Sequence, residues 1–287
     1  MGLMENNRCI AGTNLTAFSL QPSSLSNSAI LFAIAGTSCR TAMGVYDQIS
    51  QAAAQRFPGV ASRWCFTSAP IRRKLAAQGI PAPDPTEALT ALQAEGFARV
   101  AVMPLHLSDG MEFGELAEVV HSWPQRPGAT LKLTLGHTLL TSESDWRRAL
   151  ESLLAELPAP PSRADRIILV LHGSKDPRGA QTLQHAAEIC RAVDPRILLG
   201  MTLGKPNLDD VVATCHATGV KKVWLLPCFV VAGVSAREEI AGAGDTSWAS
   251  TLTRAGIEVI SVVKGLGEVE AIVQIWLDVV KQMLKEL

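Results

Sequence analysis

An apolar run, Arg166-Ile167-Ile168-Leu169-Val170-Leu171, leads straight into His172-Gly173-Ser174-Lys175-Asp176-Pro177. An imidazole at that point can accept a proton near neutral pH, and a ring nitrogen can ligate a divalent transition metal. The small Gly173 and Ser174 let the backbone turn and a ligand come close. Position alone also fits a core histidine bonded to backbone. His106, in Pro104-Leu105-His106-Leu107, and His137, after Gly136, end other apolar stretches and read either as ligand contacts or as loop supports. His121, His185 and His216 fall on helical stretches, where a solvated or core-edge role is expected. Arg72, Arg73 and Lys74 open a helix after Pro70, and Lys175 and Arg178 flank the His172 segment. Such cations form a solvated face unless the ligand is anionic.

These residues sit on elements that alternate between strand and helix, the pattern of a parallel sheet with helices on both faces. Strands are expected at 29–35, 61–67, 99–103 and 131–135, and helices at 41–57, 69–78, 87–95, 110–122 and 142–157. Asp84 or Thr86 can cap the third helix, and Gly96 stops it. The order then repeats: strands at 166–171, 197–202, 222–227 and 258–262, helices at 180–193, 208–218 and 269–287, and a loop-helix region over 231–255. The segment Glu87 to Phe113 parallels Leu208 to Val234. The fold class expected is α/β, with two similar lobes, each a four-stranded parallel sheet flanked by helices, and a cleft between them. The boundaries are a flexible leader at 1–28, an N-terminal lobe at 29–157, a Pro-rich linker at 158–164 and a C-terminal lobe at 165–287. Right-handed crossovers bring all strand C-termini to one edge, where ligands of open parallel sheets bind. His172, Leu203 and the loops after Pro104 and Pro227 converge there.

Composition narrows the function classes. The formal net charge is -1 with no long basic run, so nucleic acid is not an expected partner. No apolar segment reaches the ~20 residues needed to span a bilayer, and Pro227 interrupts the 223–234 run; no membrane partner is expected. The polar first 28 residues lack a signal-type apolar region. The six cysteines form no C-x-x-C pair and read as small buried hydrophobes in a reducing compartment. The expected location is the cytoplasm, and a homo-oligomer is compatible with the sequence.

The hexapeptide at His172 resembles the His-Gly-Ser-Arg-Asp-Pro-like start of the class II tetrapyrrole chelatases. The likeness is closer to the long anaerobic sirohydrochlorin cobaltochelatase branch (the CbiK type) and covers about residues 29 to 280. It is carried by Gly36-Thr37-Ser38, Phe66-Thr67-Ser68, Met103-Pro104-Leu105-His106, Gly110-Met111-Glu112-Phe113, Ala232-Gly233, Gly244-Asp245-Thr246-Ser247-Trp248 and Lys264-Gly265-Leu266-Gly267-Glu268, in order and spacing. The resemblance implies ATP-independent insertion of Co²⁺, or Fe²⁺, into a tetrapyrrole held between two lobes, in anaerobic cobalamin synthesis. It implies that His172 binds metal and takes pyrrole protons, and that Glu112 handles protons or touches substrate. It makes His106, Lys175 and Arg178 candidate substrate contacts, the two cations, with Arg72 or Arg73, through ring carboxylates. No tightly bound cofactor is implied.

The chain departs from that pattern at two expected metal ligands. The family's histidine after Ala-Gly is replaced, the segment reading Ala232-Gly233-Val234-Ser235-Ala236. The family's glutamate before Gly is Leu203 in Thr202-Leu203-Gly204-Lys205-Pro206. Leucine and valine cannot ligate, and a neutral hydroxyl does so poorly. Leu203, Val234 and Ser235 then line a more apolar tetrapyrrole pocket. Two alternatives stay open: a non-catalytic carrier or regulator, with His172 as axial ligand to a metal already in a ring, as in haem proteins, and an enzyme acting on a metallated ring.

Overall fold

A computed structural model describes residues 27–287. The expected leader therefore lies almost wholly outside the described residues. Its last residue, Ser28, is buried and opens the first strand, while the carbonyl of Asn27 accepts from the amides of Ala98 and Arg99.

Two four-stranded parallel sheets form. The first contains β1 (Ser28–Ile34), β2 (Ala61–Phe66), β3 (Arg99–Pro104) and β4 (Lys132–Leu135) in the order β2-β1-β3-β4. The second contains β5 (Arg166–Gly173), β6 (Ile197–Leu203), β7 (Lys222–Pro227) and β8 (Glu258–Ser261) in the matching order β6-β5-β7-β8. Central strands of such sheets are covered on both faces, so they read as unbroken apolar runs. β1 accordingly buries every residue. β5 extends past the expected end at Leu171 and carries His172 inside the strand, paired through Gly173 with Leu203.

The helices are α1 (Gly44–Arg56), α2 (Ala69–Ala77), α3 (Pro85–Ala94), α4 (Met111–Ser122), α5 (Glu143–Ala155), α6 (Pro177–Val193), α7 (Leu208–Ala217), α8 (Trp248–Arg254) and α9 (Glu270–Glu286). Asp84, not Thr86, caps α3, and its carboxylate and that of Glu87 exchange bonds with each other's backbone N–H. α6 starts three residues before the expected Ala180, because Asp176 caps it and Pro177 needs no intrahelical partner at the first position. The stretch expected as loop and helix at 231–255 resolves into a π-helical turn, Ser235–Ile240, followed by α8.

The lobes are not separate bodies on a hinge of linker alone. One continuous apolar core joins Phe32 and Met103 under the first sheet to Leu169 and Leu226 under the second. α9, at the chain's end, packs on α5 and against β3 and β4 of the first sheet. Its Trp276 is 1% exposed. α5 packs on α6 across the lobes, and the Trp146 indole donates to the carbonyl of Ala186 at 3.3 Å. The five described cysteines are unpaired. Among the described residues no helix is long and apolar enough to cross a membrane.

Such a shared core couples the unfolding of both lobes. Trp276→Ala, buried in that core, is expected to cost about 3–5 kcal/mol. A urea titration followed by far-UV and near-UV circular dichroism should show one coincident transition moving to lower urea. Two resolved transitions, with only one displaced, would contradict the coupling.

Candidate functional site

The C-terminal ends of both sheets meet at one edge, and each lobe sends one chemically able side chain there. From the second lobe comes His172, next to last in β5 and exposed to solvent. Two glycines let the backbone leave the central strands at this edge. Gly36, after β1, has φ +99° and faces the Phe66 ring, which a Cβ would meet at 2.7 Å. Gly173, after His172, has φ +86°, and a Cβ there would lie 1.8 Å from the Leu203 carbonyl oxygen. Only glycine fits so close an approach at positive φ.

From the first lobe comes Glu112, in the first turn of α4. Burial pushes its carboxyl above the usual carboxylate range; hydrogen bonds from Ser68 and Thr67 and the field of His172 pull it back, while Glu115 pushes it up. His172 therefore lies near enough for its charge to be felt at Glu112.

Behind Glu112 stands His106. Its side chain is 8% exposed, so little of it is open to the substrate contact expected of it. Its Nε2 lies 2.8 Å from the Thr67 hydroxyl, which donates to a Glu112 oxygen at 3.5 Å. The tautomer that leaves no buried N–H unpaired is the one that donates through Nε2–H to the Thr67 hydroxyl. Nδ1 is then a bare lone pair, and it has no partner among the described residues. Burying a lone pair is the cheaper of the two ways to leave a ring nitrogen unpaired. Burial lowers the imidazole pKa to about 4, so His106 is neutral and steadies Thr67 and Glu112.

The remaining candidates divide. Ser174 sits between the lobes, its hydroxyl 3.1 Å from where a Cβ of Gly110 would be, and Gly179 approaches Gly110 as closely. Arg178 is 67% exposed and its guanidinium lies against Gly114 of α4, bridging the lobe boundary beside Glu112. Lys175 is exposed. One guanidinium nitrogen of Arg72, Nη1, donates to the carbonyls of Phe66 and Thr67. His137 pairs with Asp145, His185 with Glu188, and His216 with the Ala255 carbonyl. Leu203 ends β6 beside Gly173, and Val234 and Ser235 follow Gly233, which touches Thr37 of the first lobe. Met111 and Val234, 64% and 43% exposed, are large apolar side chains left open at these edge segments. Among the described residues no three His, Cys, Asp or Glu side chains converge to hold a metal ion. An indentation of about 560 Å³ lined by Arg56, Arg99, Lys281 and Lys285 lies at the N-terminal ends of β1 and β3, away from these groups. The site is therefore located by converging side chains rather than by that indentation.

Sequence reasoning missed Thr202. Its hydroxyl lies 3.2 Å from Nδ1 of His172 and donates to the His172 carbonyl at 3.0 Å. Only the strand register, which pairs Leu171 with Met201 and Gly173 with Leu203, brings it there.

A family model described as cobalt chelatase (CbiK) matches residues 28–285. The sirohydrochlorin cobaltochelatase CbiKC of Nitratidesulfovibrio vulgaris is 35% identical over 249 residues, covering 87% of this chain and 88% of that protein. A sirohydrochlorin cobaltochelatase of Salmonella typhimurium is 30% identical over 215 residues, covering 72% of this chain and 77% of the other. The structure of SirB from Bacillus subtilis with Fe³⁺ superposes with a TM-score of 0.64 at 16% identity, over 90% of this chain and 96% of that one. At that identity the likeness is one of fold, the two-lobed chelatase fold.

The buried imidazole makes stability pH-dependent. His106 takes its proton near 6.5 when unfolded and only near 4 in the fold. Between those values the unfolded chain holds the extra proton, so stability must fall as the pH drops through the window. The loss approaches about 3 kcal/mol once the pH is below both values. Urea unfolding at a series of pH values should show this slope in the native protein and a shallower one in His106→Gln. Equal slopes would show that His106 is protonated as readily in the fold as outside it.

Proposed function

This chain belongs to the cobalt chelatase (CbiK) family, and on that footing we propose that it is a sirohydrochlorin cobaltochelatase, inserting Co²⁺, or alternatively Fe²⁺, into the metal-free ring without ATP. The single observation that carries the reading is that an exposed imidazole from one lobe, His172, lies near enough to the half-buried Glu112 carboxyl of the other for its charge to be felt there. The reaction needs that pair. A divalent ion entering the ring displaces two pyrrole N–H protons, and both must be accepted by something near the ring.

In this reading the ring lies between the lobes, its apolar faces against Met111, Val234 and Leu203 and beside Ser235. Ligand pockets combine such walls with a few polar anchors. Arg178 and Lys175 meet ring carboxylates, where charge-assisted bonds are strong. His172 offers its lone pair to the arriving Co²⁺ and, as the ion passes to the unprotonated ring nitrogens, to a pyrrole proton, whose departure frees that nitrogen to bind the ion. Glu112 accepts the other proton, with Thr67 and Ser68 holding its oxygens and His106 holding Thr67. His106 is thus a support and not a substrate contact. Both the metal and the ring are substrates, and no resident cofactor is required. The place of the reaction is the building of the cobalt-containing ring of cobalamin, and unpaired cysteines suit a cytoplasmic setting.

A second reading rests on one observation, the absence of three converging donors among the described residues. One imidazole suffices as an axial ligand to a metal already inside a ring, so the same cleft would suit a carrier of haem or of another metallated tetrapyrrole, or an enzyme acting on one.

Mixing the protein with sirohydrochlorin and Co²⁺ should accelerate the absorbance change of insertion over a no-protein control. His172→Ala should cut kcat by about 10²-fold or more, the scale of a lost general base. The rate should rise with pH as Glu112 ionises, because the carboxylate is the accepting form, and Glu112→Gln should remove that limb while lowering the rate. No acceleration by the native protein, together with a haem Soret shift that His172→Ala abolishes, would replace the chelatase reading with the carrier.

A further inference from the structure

We propose that Thr202 is a positioning residue that holds His172 in a single tautomer, with the proton on Nδ1 and the lone pair on Nε2. The inference rests on the reading of His172 as the working imidazole and adds what makes it work. A hydroxyl has one proton to give. The Thr202 Oγ1 lies 3.0 Å from the His172 carbonyl oxygen, an atom that can only accept, so the proton goes there. The same oxygen lies 3.2 Å from Nδ1. With its proton already committed, it can meet Nδ1 only as an acceptor, and Nδ1 must be the donor. Nε2 is then the bare nitrogen, and among the described residues it has no hydrogen-bond partner. A bare nitrogen is the form that ligates a metal ion or accepts a proton; the other tautomer would present an N–H to the cleft and do neither.

The backbone makes this contact a fixed one. His172 and Thr202 lie between two registered pairs, Leu171 with Met201 and Gly173 with Leu203, so in parallel strands their side chains leave the same face of the sheet. Gly173 keeps the two strands together at that level, since any Cβ would strike the Leu203 carbonyl. Thr202 stands next to Leu203, the position at which the likeness to the chelatases leads one to expect a carboxylate. The polar group this chain keeps on β6 thus serves the imidazole ring and not the metal ion.

Histidine ring ¹⁵N spectra of the whole protein, recorded above the imidazole titration and assigned by the signal missing in His172→Gln, read the tautomer directly. We expect a protonated-type Nδ1 and a bare-type Nε2 for His172. In Thr202→Val, nearly the same shape without the acceptor, both signals should move toward the averaged values of a free imidazole, whereas Thr202→Ser should keep the native pattern. Cobalt insertion should fall about tenfold in the Val variant and recover to within about twofold in the Ser variant, the scale of a lost supporting bond. A native His172 carrying its proton on Nε2, or an unchanged pattern in Thr202→Val, overturns the proposal. The spectra need no turnover, so a native protein that inserts no cobalt yet shows the Nδ1–H form supports the role of Thr202 while removing the chelatase reading.

Discussion

The architecture of the cleft depends on two strands staying paired one residue further than their apolar runs would take them. β5 and β6 would ordinarily separate where Leu171 and Met201 leave the core. They remain registered through Gly173 and Leu203 because Gly173 has no side chain and adopts a positive φ. The Leu203 carbonyl occupies the space a Cβ would need. That close contact places His172 on a rigid strand instead of a loop, sets the Thr202 hydroxyl beside its ring, and leaves the imidazole exposed at the sheet edge. Precision of this kind comes more readily from a strand than from a loop, because the ladder bonds on both sides restrict the backbone before any ligand arrives.

Each lobe repeats the same sheet order, yet the two edges do opposite things with the same materials. In the first lobe the histidine, His106, is buried and neutral, and the carboxyl of Glu112 reaches the cleft. In the second the histidine is exposed and no carboxyl of the lobe's own accompanies it among the converging groups. A threonine just after or next to last in the second strand of each sheet, Thr67 and Thr202, meets an imidazole in both cases, and the imidazole donates to its hydroxyl. The nitrogen left bare is Nδ1 in the interior and Nε2 in the cleft. Pseudo-symmetry of the scaffold thus produces complementary halves rather than duplicate sites, and the continuous core under α9 keeps those halves at a fixed spacing.

Much of this was readable in the residues because local rules and global fold agree. Apolar runs of strand length, the glycine stop at Gly96 and the cap at Asp84 set the element order and most boundaries to within a residue or two. Asp176 is a cap and Pro177 a first helical position, so α6 starts ahead of the expected residue 180. What could not be read were the relations set by pairing and packing. Thr202 reaches His172 through a register that no periodicity encodes. The apolar stripe of α9 says that the helix buries one face, not that it crosses back to the first sheet. His106 and His172 both end apolar strands in sequence, and only the surrounding layers decide that one is buried and the other open. Arg72 reads in sequence as a solvated cation or a carboxylate contact, and only the fold shows its Nη1 bonded to the carbonyls of Phe66 and Thr67.

The replacement of expected donors by Leu203 and Ser235 bears on catalysis in a direction opposite to intuition. A protein site that held the divalent ion through three fixed ligands would stabilise the ground state, and that affinity would have to be surrendered before the ring could take the ion. Only interactions stronger in the transition state than before it lower the barrier. The ring itself brings four nitrogen donors, and what it lacks is a place for its two protons and a guide for the ion's approach. In the proposed function, one imidazole with a bare nitrogen and one carboxyl pushed above its usual pKa by burial would meet both needs without a deep metal trap. Weak affinity of the isolated protein for the ion is therefore compatible with fast insertion, provided the apolar walls hold the ring first and the ion meets ring and imidazole together.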